Sequence, residues 1–173
     1  MFVEFAKYVK DEEIEKIESS NELLNYVSQR TILNGMYRAF TIENIQKWNS
    51  IVEEAFPGYQ GRITVFAYDW LGRVFAINRQ TNTVLLFEPG TGEVLDIPVG
   101  IEAFHNEEIA EYNEDSLASG FFDEWFENSK YILKPSECVG YKVPLFLNGE
   151  DNISNLEVSD MEVYWGIMAQ MIP

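Results

Sequence analysis

Hydrophobic positions along this chain change period twice, and the changes divide it into three parts. Between residues 62 and 97 the apolar residues fall in short runs: Ile63, Val65 and Ala67 alternate with Thr64, Phe66 and Tyr68, followed by Val74-Phe75-Ala76-Ile77, Val84-Leu85-Leu86-Phe87 and Val94-Leu95-Asp96-Ile97. Leu71-Gly72, Gln80-Thr81-Asn82-Thr83 and Pro89-Gly90-Thr91-Gly92 separate the runs. Short β-branched and aromatic runs punctuated by Gly, Pro and Asn predict consecutive antiparallel strands, a four-stranded meander. Before it the period lengthens to three or four. Phe5, Tyr8, Val9, Ile14 and Ile17 predict a helix or helix pair over 4–19, and Leu23, Leu24, Tyr26, Val27 and Leu33 a second, started at Ser20-Asn21 and stopped at Asn34-Gly35. A short strand follows at 36–40. Ile42, Ile45, Trp48, Ile51, Val52 and Ala55, between Thr41 and Pro57-Gly58, then give the clearest helical period in the chain.

After the meander, Ile101, Phe104, Ile109 and Tyr112 predict one helix, and Leu117, Phe121, Phe122, Trp125 and Phe126 another. Pro144 lacks an amide donor, so the apolar run 139–147 reads as an edge strand or packed loop. Residues 156–158 read as a short strand, and Ser159-Asp160 as the cap of a closing apolar helix. A meander leaves an apolar face that helices must cover. The expected fold class is α+β, a single domain over 1–173: an antiparallel meander sheet of about four to six strands with helices packed mainly on one face. Trp48, Phe66, Phe75, Leu86, Tyr141, Leu145 and Trp165 are expected in one buried cluster.

Charge sharpens this picture. Twenty-nine acidic against twelve basic residues give a formal net charge of -17, which argues against nucleic acid or an anionic membrane surface and favours a basic partner. No Lys or Arg occurs between Arg79 and Lys130, while twelve carboxylates do. The candidate partner-binding residues are Glu107, Glu108, Glu111, Asp115, Asp123 and Glu124, because an unrelieved block of one sign is best tolerated where a partner neutralises it. No stretch approaches the roughly 18 apolar residues of a membrane span, and no secretory signal opens the sequence, so a cytoplasmic location is expected. Cys138 is the single cysteine, which excludes an internal disulfide.

Catalytic signals are sparse. With one histidine and one cysteine, a zinc site built from those residues is excluded by inventory. His105 reads as a surface or capping residue. Gly90-Thr91-Gly92 reads as a hairpin turn and not a phosphate loop, since the Gly-Lys-Ser/Thr that would follow is missing. Glu150-Asp151-Asn152 lacks the alternating ligands of a calcium loop. Neither cofactor nor metal is expected.

The stretch 133–151, with Gly140-Tyr141-Lys142-Val143-Pro144-Leu145-Phe146-Leu147-Asn148-Gly149 at its heart, precedes Leu156-Glu157 and Met161-Glu162-Val163-Tyr164-Trp165. It resembles the C-terminal domain family of bacterial immunity proteins found beside type VI secretion DNase effectors, with Asn148 where that family has Gly. Gly35-Met36-Tyr37-Arg38, Trp48 and the Leu71-Gly72-Arg73-Val74-Phe75 hairpin extend the likeness upstream, and the overall plan is similar to the SUKH superfamily of toxin-immunity proteins. The resemblance implies a non-enzymatic cytoplasmic protein that binds and neutralises a cognate toxin, of nuclease type, through an acidic surface. A regulatory or scaffold module for some other basic protein, and a small acidic hydrolase, are the alternatives from other classes.

Overall fold

A computed structural model of the chain describes residues 1–173. The helices are α1 (Val3–Val9), α2 (Ser20–Ser28), α3 (Ile42–Ala55), α4 (Ile101–Ala103), α5 (Asn113–Leu117), α6 (Ser119–Ser129) and α7 (Met161–Ala169), with a π-helical turn, Phe104–Ile109, between α4 and α5. The strands β1 (Tyr37–Ala39), β2 (Ile63–Asp69), β3 (Val74–Asn78), β4 (Val84–Glu88) and β5 (Glu93–Ile97) form one antiparallel sheet in sequence order. β6 (Glu137–Tyr141) and β7 (Leu156–Asp160) form a separate antiparallel pair. The expected α+β class, meander order and strand count all stand.

Register explains how the sheet is buried. Val74 lies opposite Phe87 and Ala76 opposite Leu85, while Phe75 lies opposite Leu86 and Ile77 opposite Val84. Side chains alternate across a strand, so each face of β3 and β4 carries its own apolar set. On one face Phe75, Val84 and Leu86 pack with Phe5 of α1, Leu23 and Val27 of α2, and Phe104, Ile109 and Phe122. On the other, Val74, Leu85 and Phe87 pack with Trp48 and Val52 of α3 and Trp165 and Met168 of α7. A slip of register between Val65 and Ala67 turns Phe66 and Ala67 into the first of these cores, as a bulge does.

Helices therefore cover both faces of the sheet, where the sequence reading placed them mainly on one. The continuous runs Val74-Phe75-Ala76 and Val84-Leu85-Leu86-Phe87 require this, because a strand with one solvated face would alternate with polar residues. The seven expected core residues divide accordingly. Trp48 and Trp165 lie in one core, Phe66, Phe75 and Leu86 in the other, and Tyr141 and Leu145 are only partly buried.

Two helix boundaries also differ from expectation. α2 ends at Ser28, and Leu33, Asn34 and Gly35 adopt consecutive positive φ values of 47°, 54° and 86°, a short left-handed turn that no helix continues through. The segment expected as one helix over 101–112 is a single α turn followed by the π turn.

The turn between β2 and β3 joins the sheet to the rest of the chain. Asp69 Oδ1 accepts the backbone N–H of Leu71 and of Arg73, both at 3.0 Å, and Gly72 holds φ 73°. Arg73 Nε donates to Asp69 Oδ2 at 2.7 Å and Nη1 to Glu88 Oε1 at 2.9 Å. From the same turn Gly72 O accepts the Trp165 indole N–H at 2.7 Å, and Trp70 O accepts the Val139 N–H at 2.6 Å. Trp165 also meets Trp48 edge to face, with centroids 6.2 Å apart. Trp165→Ala is expected to cost about 3–5 kcal/mol, the usual loss for a fully buried large aromatic. Denaturant titration checks this, and an unchanged midpoint would show that the second core does not depend on it.

Candidate functional site

The acidic segment is fixed to the sheet by neutral or internally paired groups. The Trp70 indole donates to Leu117 O at 2.9 Å and Arg73 Nη2 to Ser116 O at 3.0 Å, so two carbonyls at the C-terminal end of α5 are held from the β2–β3 turn. Ser116 Oγ donates to Glu108 O at 2.6 Å, tying α5 to the π turn. Ala118, at φ 50°, breaks the chain between α5 and α6. Glu114 caps the next helix, its Oε2 accepting from Gly120 N at 2.7 Å and from Ser119 Oγ at 3.0 Å.

The fastening inside the segment is His105. It is wholly buried, not a surface or capping residue as the sequence suggested. Its Nδ1 lies 2.7 Å from Ile101 O and its Nε2 2.9 Å from the Tyr37 hydroxyl. A carbonyl only accepts, so Nδ1 carries the proton and Nε2 accepts from Tyr37. Phe2, Phe5, Phe66 and Phe104 surround the ring. An acidic neighbourhood in sequence concealed this, because Glu107 and Glu108 follow His105 almost directly. The structural signal for it is the π turn itself, which widens the helix by one residue where the ring enters the core.

The six candidate carboxylates fall into two groups. Glu107, Glu111 and Asp115 are exposed and Glu108 is half-buried. Burial raises the Glu108 pKa, and Glu107 and Asp115 raise it further, so these three share one field. Glu111 follows one turn after Glu107, its N–H donating to Glu107 O at 2.8 Å. Asp123 and Glu124 stand exposed on the separate helix α6, and Asp123 is near enough to α1 to add to the burial that raises the Tyr8 pKa. None of the six has an ion-pair partner; the ion pairs of the chain lie elsewhere, at Lys7–Glu4, Lys16–Glu13, Lys47–Glu162, Arg73–Asp69, Arg73–Glu88 and Lys134–Glu137.

A cleft that sequence reasoning missed opens beside this segment. It has a volume of about 220 Å³ and lies where the β4–β5 turn meets α6 and the loop after β6. Arg73, Glu88, Phe121, Tyr141, Asp151 and Tyr164 line it. Leu145 N donates to Gly90 O at 2.9 Å and holds the two sides together. A Cβ on Gly90 would stand 2.7 Å from the Tyr141 ring, so only glycine lets that ring close the cleft. Burial, then Asp151, raises the Tyr141 pKa, and the hydroxyl donates to Asp151 Oδ1 at 2.7 Å.

No three His, Cys, Asp or Glu side chains converge in a way that suits a metal ion. Cys138 is buried and its thiol is pushed up to about 12 by burial, only partly offset by Arg38, which suits packing and not nucleophilic attack. No helix is long and apolar enough to cross a membrane.

Residues 103–172 match the family described as T6SS immunity protein Tdi1, C-terminal. This stretch is similar to an immunity-family domain. All six candidate carboxylates and both tyrosines of the cleft lie within this Tdi1-type region, whereas Arg73 and Glu88 lie before it. The likeness first read from the 133–151 run and the closing Tyr164-containing helix thus holds for the part of the chain that carried it. Among solved structures, the crystal structure of Atu4351 from Agrobacterium tumefaciens aligns with a TM-score of 0.60 at 15% identity, covering 97% of this chain and 80% of that one. At that identity the likeness is one of fold. No curated protein matches.

His105 makes the anchoring of the Tdi1-type region testable by pH. Burial lowers its folded-state pKa from 6.5 to about 4, so the unfolded chain takes up the proton first. Its contribution to stability is complete above about pH 6.5 and declines as pH falls from there towards 4. Wild type is expected to lose about 3 kcal/mol over that window beyond what His105→Gln loses, since glutamine keeps a donor and an acceptor but does not titrate. Parallel urea titrations at pH 7 and pH 4 measure the difference, and identical pH profiles would show the ring is not buried neutral.

Proposed function

We propose that this chain is a non-enzymatic immunity protein that acts in the cytoplasm by binding a cognate secreted toxin and masking a basic surface on it. The observation that carries this reading is the immunity-family match over residues 103–172, which contains all six candidate carboxylates. A nuclease must present positive charge where it grips phosphates, and a carboxylate-covered inhibitor competes for that surface. The physical chemistry of the segment supports the same conclusion. Like charges at helical spacing repel by a few tenths of a kcal/mol per pair, and a basic partner relieves that repulsion. Glu107, Glu108, Glu111 and Asp115 form the centre of the proposed contact, with Asp123 and Glu124 on its α6 side. The proposed partner is a protein with a basic surface, and neither nucleic acid nor a membrane takes part in the contact; the chain acts as one domain.

Reversal of three charges tests the proposal. Glu107→Lys, Glu108→Lys and Glu111→Lys together are expected to slow association with a cognate toxin by roughly tenfold or more at low salt. The deficit should shrink as salt shortens the Debye length to about 8 Å. Stopped-flow association at several ionic strengths, with growth protection as the cellular readout, measures both effects. Unchanged association at low salt would place the contact on another surface.

A further inference from the structure

We infer that the cleft between the β4–β5 turn and the loop after β6 is a receptor for a single basic side chain, an arginine or lysine presented by the partner protein. Its size sets the class of ligand. About 220 Å³ is below the roughly 300–1,000 Å³ of small-molecule and cofactor pockets, and it matches one long side chain.

The lining sets the charge. Arg73 is the one cation there, and both flanking carboxylates already match it, Asp69 at 2.6 Å and Glu88 at 2.9 Å. Counting Asp151 at the mouth, the cleft and the turn directly behind it hold three carboxylates against one guanidinium. An incoming anion would meet this excess of negative charge, whereas a cation reduces it. Asp151 is exposed and only its Oδ1 is engaged, by Tyr141, so Oδ2 is free to accept from a guanidinium or ammonium. The rings of Phe121 and Tyr141 supply the aromatic walls over which such a cation is attracted.

A second feature points to a ligand. Tyr164 lines the cleft at 4% exposure, and its hydroxyl accepts the Tyr141 N–H at 3.4 Å while its own proton has no acceptor in the chain. That donor lines an open cleft, where a ligand can accept from it. The carbonyl of the residue that brings the basic side chain is the group suited to do so. The position fits as well: Ala118 and Phe121 belong to the same segment as the unpaired carboxylates, so the cleft lies beside the surface proposed above to meet the toxin. This inference rests on that reading for the identity of the partner, but the chemistry of the cleft is testable without any toxin.

The probe is N-acetyl-arginine amide, titrated into the full-length protein and followed by amide chemical shifts. Saturable shifts confined to Gly90, Thr91, Tyr141 and Asp151 are expected, with much smaller effects from N-acetyl-norleucine amide. Asp151→Asn should weaken binding of the arginine probe about tenfold, the effect of one charge-assisted hydrogen bond. Thr91→Trp, which fills the cleft, should abolish it; should that variant fail to fold, the Asp151→Asn comparison decides alone. Equal shifts from the norleucine probe, an unchanged affinity in Asp151→Asn, or no localised shifts would each overturn the inference. Failure here with charge-reversal results that hold would remove the cleft and leave the immunity reading intact, and the opposite pattern would remove the toxin and leave the cleft.

Discussion

One guanidinium ties the end of the acidic segment's helix α5 to the sheet. Arg73 leaves the β2–β3 turn, pairs with Asp69 inside the turn and with Glu88 on the adjoining strand, and donates to Ser116 O at the end of α5. Burial opposes its charge, but Asp69 and Glu88 outweigh that and raise its pKa, so it stays protonated at any pH at which the protein folds. A buried ion pair gains little over a well-packed apolar substitute, yet breaking one by removing a partner costs about 3–5 kcal/mol. Its value here is geometric. A planar fork satisfies two carboxylates and a carbonyl at once, which fixes where α5 ends relative to the sheet.

That placement matters because the segment it holds cannot hold itself. The carboxylates from Glu107 to Glu124 have no cationic partners, and their mutual repulsion favours any motion that spreads them. The anchors are instead beneath them: Phe104, His105, Ile109 and Phe122 in the core, the Trp70 indole on Leu117 O, and Arg73 on Ser116 O. Stability and surface charge are thus assigned to opposite sides of the same elements. A partner can neutralise the outer side without disturbing the inner one.

The legible part of this architecture was the part written in periodicity. Strands β2 to β5 and helix α3 follow directly from alternation, turn glycines and the spacing of Ile45, Trp48 and Val52, and the acidic block is visible in composition alone. Burial of both sheet faces was implicit in the unbroken apolar runs of β3 and β4, but a meander is more often solvated on one side, and that expectation prevailed. His105 was misplaced because its sequence neighbours are carboxylates, while its actual neighbours, Tyr37, Phe2 and Phe5, come from elements far earlier in the chain that no local pattern links to it. The cleft was invisible for the same reason: Glu88, Tyr141, Asp151 and Tyr164 come from four separate segments and meet only through tertiary packing.

If Arg73 is the tie between sheet and acidic segment, weakening its fork should loosen that segment selectively. Hydrogen exchange by mass spectrometry on Arg73→Lys, which keeps the charge but cannot serve Asp69, Glu88 and Ser116 O together, tests this most directly. The expected result is faster exchange across residues 113–122 with α3 as protected as in the wild type. Equal protection of both regions would contradict the account, and so would a uniform loss across the whole chain.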